Sequence, residues 1–110
     1  MALRRRTKSG EQGGTFFIDY VSKVPFNRPC TITEHTIISS DVIVPDTKNS
    51  PIPGNGAIYR LIGDGTHTPT FTGFQQSSAS GVYDPTSGVL NLVTFLYDGV
   101  DYWYTIIQPV

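Results

Sequence analysis

A chain of 110 residues is one domain's worth, long enough for a modest core. Only 15% of it is charged, and six Phe, six Tyr and one Trp supply large apolar groups, so the composition excludes a disordered chain and fits a compact, turn-rich β domain. The formal net charge of −1 hides a segregation: Arg4, Arg5, Arg6 and Lys8 hold half of the eight basic residues, and beyond residue 10 four bases face nine acids, a balance of −5.

In chain order, residues 1–14 read as a basic, Gly-rich arm without periodicity. They lack the apolar stretch of a signal peptide, and no run approaches the roughly 20 apolar residues of a membrane helix. The domain proper is expected over 15–110. Residues 15–21 (TFFIDYV) carry the β-branched and aromatic residues of a strand. Pro25 and Pro29 bracket a turn before a second strand at 30–38 (CTITEHTII). Cys30 is the single cysteine, which excludes an intrachain disulfide and a cysteine-rich zinc site and fits folding in a reducing cytoplasm. Ser39-Ser40 separates this run from DVIV at 41–44. A Pro- and Gly-rich loop fills 45–56, and AIYRLI at 57–62 ends at the Gly-Asp-Gly of 63–65. Residues 66–74 alternate in part but contain Pro69, so they are expected as an edge strand or extended segment. Residues 75–81 are polar linker or edge, and 83–88 (YDPTSG) form a turn. No ten-residue segment carries a helical apolar stripe. Six to eight short strands at irregular spacing predict an all-β fold, an antiparallel sandwich or jelly-roll-like domain.

The strongest local signal is at 89–107, two apolar runs around Asp98-Gly99. That dipeptide favours a two-residue hairpin turn with positive φ. Such a turn sets Tyr97 against Val100, Phe95 against Tyr102, Val93 against Tyr104 and Asn91 against Ile106. The other face then carries Leu90, Leu92, Thr94, Leu96, Asp101, Trp103, Thr105 and Ile107. Both faces are mostly apolar, so this C-terminal hairpin is expected to be covered twice: by its own core, and by another layer or subunit. Phe95, Tyr102, Trp103, Tyr104 and Ile106 are the residues expected at a subunit interface.

Catalytic apparatus is not legible. His35 and His67, with Cys30, Glu34, Asp41 and Asp64, show no ligand spacing, so neither metal nor cofactor is expected. A catalytic role would require His35 or His67 to meet a carboxylate in a cleft. Asp64-Gly65 and Asp98-Gly99 lack the DxDxDG run of a calcium loop and read as turns. The serines at 77, 78 and 80 lack a nucleophile elbow. The arm cations Arg4, Arg5, Arg6 and Lys8 are expected to dock on an acidic protein surface rather than on nucleic acid, because the body itself is acidic. Tyr83 and Tyr97, near turns, are the candidates for stacking on a glycan.

Residues 63–71 (GDGTHTPTF) and 80–106 (SGVYDPTSGVLNLVTFLYDGVDYWYTI) resemble the β-rich domains of phage virion proteins: fibre, tail-tip and capsid-attached modules that close on a Tyr-Asp-Gly turn and an aromatic terminal strand. The resemblance spans roughly residues 57–108. It implies a non-enzymatic structural role in a virion assembled in the host cytoplasm, as a head-fibre, decoration or tail-adaptor subunit. Its expected partners are copies of itself, most simply in a trimer, and other virion proteins. The alternative it leaves is a carbohydrate-binding module for host attachment.

Overall fold

The computed structural model describes residues 21–109. The arm at 1–14, and the strand expected over 15–21 apart from Val21, lie outside the described residues. Within them the chain is mostly β, with eight strands and no helix. These are β1 (Val21–Val24), β2 (Thr31–Thr36), β3 (Val42–Pro45), β4 (Gly56–Ile62), β5 (Thr70–Phe71), β6 (Gln75–Gln76), β7 (Leu90–Tyr97) and β8 (Tyr102–Ile107).

Consecutive strands from β1 to β6 alternate between two sheets. A three-stranded sheet has the order β1-β3-β5, and a five-stranded sheet the order β2-β4-β7-β8-β6. Each strand crosses to the other sheet before the chain returns, so the next-but-one strand re-enters in the same direction. Val21 pairs with Val42, Val42 with Thr70 and Thr31 with Ala57, all in parallel register. A parallel pair always needs a crossover, usually a helix; here a strand of the opposite sheet supplies it. β7 and β8 pair antiparallel and insert between β4 and β6.

The expectation of antiparallel pairing is thereby corrected. Four of the six pairings among the described residues are parallel, and only those of β4 with β7 and of β7 with β8 are antiparallel. Side chains alternate with period two in either case, so the sequence pattern carries no sign of direction.

The core draws buried residues from both sheets. Val24 and Ile43 from the smaller sheet meet Ala57, Tyr59, Leu61, Val93, Phe95 and Ile106 from the larger one, with Phe26, Ile37 and Tyr83 from connecting segments. Rings cross the gap. Phe71 packs on Phe95 with centroids 5.9 Å apart and stacks on Tyr104 at 4.5 Å. Phe26, just past β1, reaches Tyr102 at 5.2 Å. Close backbone approach explains why β4 opens on glycine. A Cβ on Gly56 would collide with the Phe95 carbonyl oxygen, where β7 runs alongside.

The turn between β7 and β8 has four residues, Asp98 to Asp101, rather than two. Asp98 Oδ1 accepts the amides of Val100 at 2.8 Å and Asp101 at 2.6 Å, while Oδ2 accepts Trp103 Nε1 at 2.8 Å. Gly99 supplies the required positive φ, 99°. Tyr97 therefore pairs with Tyr102, Phe95 with Tyr104 and Val93 with Ile106. This register is displaced by two residues from the expected one, because the Asp98 carboxylate organises a longer loop. A shift of two leaves every side chain on its predicted face, whereas a shift of one would have turned one strand's side chains to the opposite face.

Candidate interaction face

The outward face of the five-stranded sheet is built by strand register. Ile32, Ile58, Thr94 and Thr105 form one row across β2, β4, β7 and β8. Glu34, Arg60, Leu92 and Ile107 form the next, followed by Thr36, Ile62 and Leu90. Leu96 and Trp103 close the other end. β-Branched and leucine side chains hold these strands extended and also project from both sides, so the strands that fill the core leave a second apolar surface outside. Ile32 is 68% exposed, Ile107 47% and Leu96 43%, which places this surface in solvent. Among the described residues its charged side chains are Glu34 and Arg60, paired at 3.5 Å and both well exposed, with the Asp98 carboxylate that holds the Trp103 indole at one end.

The five residues expected at a subunit interface separate between the two faces. Phe95 and Ile106 are buried in the chain's own core, and Tyr102 and Tyr104 pack against it from half-buried positions. Trp103 alone stands on the outward face, its indole N–H held by Asp98. Correct alternation on β7 and β8 distinguished the faces; which face the rest of the chain covers was not legible. Ile32, Ile58, Ile62 and the Glu34–Arg60 pair were not singled out from the sequence. Their signal was present in 30–38 and 57–62, where apolar residues sit at both odd and even positions.

The glycan candidates separate too. Tyr83 is 7% exposed and belongs to the core, correcting its expected place at an exposed turn. Burial, reinforced by the nearby carboxylates of Asp64, Asp41 and Asp84, pushes its hydroxyl up to about 12. The turn at 83–88 is folded down by Asn91, which accepts the Asp84 amide at 2.8 Å and donates to its carbonyl at 2.9 Å. Tyr97 stacks on Tyr102 with centroids 4.4 Å apart and gives its hydroxyl proton to the Gly99 carbonyl. Arg4, Arg5, Arg6 and Lys8 lie outside the described residues.

Each histidine meets an aspartate, a pairing the sequence pattern did not signal. His35 Nε2 and Asp41 Oδ2 are 2.8 Å apart, both buried, and Ser39 Oγ donates to Asp41 Oδ1 at 2.8 Å. The Ser39 proton is thus directed at the carboxylate, not at the imidazole, which is not the order of a nucleophile and its base. Asp41 also accepts the Thr70 amide on its carbonyl, so the cluster ties β2 to the starts of β3 and β5. His67 Nδ1 lies 2.6 Å from Asp64 Oδ2, and Asp64 Oδ1 accepts the amides of Thr66 and His67. Those donors, the His67 amide foremost, hold the Asp64 carboxyl at about 2. Among the described residues no group of three or more His, Cys, Asp or Glu converges in a way that could hold a metal ion. Comparison with protein-family models, curated proteins and solved structures finds no match to this chain.

Proposed function

We propose that the chain is a non-enzymatic structural subunit of a bacteriophage particle: a capsid-attached or head-fibre, decoration or tail-adaptor protein. Its two sheets form a sandwich ending in the β7–β8 hairpin. The subunit oligomerises and docks into the particle through Arg4, Arg5, Arg6 and Lys8. One observation supports this reading above the others: the larger sheet has an apolar outward face in addition to a complete inward core. An exposed apolar surface of this kind marks a contact site rather than a solvated wall. The His35–Asp41 cluster ties β2 to the starts of β3 and β5, and the Asp64–His67 contacts close a turn, both in keeping with a scaffold.

The test is the composition of purified particles of the phage that encodes the chain. Mass spectrometry should find it as a stoichiometric component, and deletion of residues 2–10 should abolish its incorporation while leaving the domain folded. Absence from particles would contradict the structural role. Undiminished incorporation of the deletion variant would contradict arm docking alone.

A further inference from the structure

We infer that the occupant of the outward face of the five-stranded sheet is the same face of a second copy, stacked about a two-fold axis. This rests on the proposal that the chain self-associates, and it names the surface, the partner and the arrangement. Three observations carry it.

The first is shape. The face is made by four adjacent strands and offers a broad sheet surface rather than a groove for a helix or a peptide. Another sheet of the same twist fits such a surface at about 10 Å, with strand directions about 30° apart. A second copy presents that twist without further requirement.

The second is charge. The described residues carry Lys23, Arg28, Lys48 and Arg60 against Glu34, Asp41, Asp46, Asp64, Asp84, Asp98 and Asp101, so two such bodies carry net charge of the same sign. The outward face is the exception. Across its middle Arg60 and Glu34 pair at 3.5 Å, and Asp98 at the Trp103 end is engaged by the indole and the turn amides, so the face offers little to a polyanion or a basic partner. Identical bodies approach there at the lowest electrostatic cost.

The third is area. Four strands about 4.8 Å apart, each presenting outward residues about 6.7 Å apart over three or four rows, give roughly 400–500 Å² per copy in projection. Two such faces approach the ~1,000 Å² at which a specific interface begins. A face of that size fits a weak pair, expected to associate in the micromolar range or more weakly, and one sheet face accommodates one other, so the unit is a dimer.

Stacking confines the Glu34–Arg60 pair, and this gives the inference a signature. In the single chain the pair is exposed, so Arg60→Ala should leave thermal stability nearly unchanged. In the dimer the same change leaves Glu34 enclosed without its partner and should weaken association by at least about ten-fold. The double variant Glu34→Ala/Arg60→Ala should recover most of that loss. Leu92→Asp, in the same row, should abolish the dimer, while Val100→Asp at the exposed tip of the Asp98–Asp101 turn should leave it intact.

Sedimentation velocity on the full chain and these variants, with thermal melts to confirm folding, decides the matter. The result expected is a wild-type dimer lost in Leu92→Asp, weakened in Arg60→Ala and restored in the double variant. A trimer, or self-association indifferent to Leu92→Asp and Arg60→Ala, would overturn the face-to-face dimer while leaving self-association standing. A wild-type chain that is monomeric throughout would overturn both.

Discussion

Asn91 shows how a polar side chain can be as structural as any leucine. It is fully buried, it bonds both backbone groups of Asp84, and it fastens the segment leading into β7. Asn91→Ala would strand the Asp84 amide and carbonyl in a water-poor site, and is expected to cost about 2–3 kcal/mol in urea unfolding. The turn aspartates are expected to make folding sensitive to acid. Asp64 is held at about 2, below its ordinary 3.8, by the His67 amide first and then the His67 ring. Asp98 is lowered chiefly by the Asp101 amide, Asp46 by the Asn49 side chain and Asp84 by Thr86. A carboxyl lowered in the folded state adds stability above its unfolded pKa and loses it as pH falls through the folded one. Melting temperature should therefore hold near neutrality and fall between about pH 4 and about pH 2, with Asp64→Asn flattening part of that slope in circular-dichroism melts. Little of this was legible in advance. Asp-Gly signalled turns, but which amides a carboxylate collects depends on loop length, and Tyr83 was expected outside because its turn was seen without the Asn91 that folds it inward.

At the scale of elements, β7 and β8 carry opposite duties on their two faces. Phe95 contacts Tyr59, Phe71 and Phe74 at centroid distances of 5.1, 5.9 and 4.7 Å, so it joins both sheets. Phe95→Ala should cost about 3–5 kcal/mol, a large share of the ~5–15 kcal/mol stability of a small domain. Trp103→Ala, on the outward face, should cost under about 1.5 kcal/mol in the single chain and show its effect in association instead. Chemical denaturation of the two variants at low protein concentration separates these outcomes. The strands themselves were readable. Residues 30–38, 41–44 and 57–62 contain or closely overlap β2, β3 and β4, because β-branched alternation is a local property. The short strands β5 and β6 were visible only as edge or linker, since two-residue strands exist through their neighbours rather than their own propensity.

At the scale of the molecule, direction and order were hidden. Crossing from sheet to sheet at each step produces parallel pairing, and the insertion of β7–β8 between β4 and β6 sets the width of the outward face. Neither follows from any single segment. What did survive from sequence to structure is the presence of two apolar faces on the last two strands, because the register moved by two residues and not by one. One of those faces closes the core, and the other stands exposed and is the face proposed for self-association. The most direct test is sedimentation equilibrium of the wild-type chain from low micromolar to several hundred micromolar concentration. Mass rising from one chain toward two, reversibly with concentration, is the predicted result; a single-chain mass across the whole range would contradict the account.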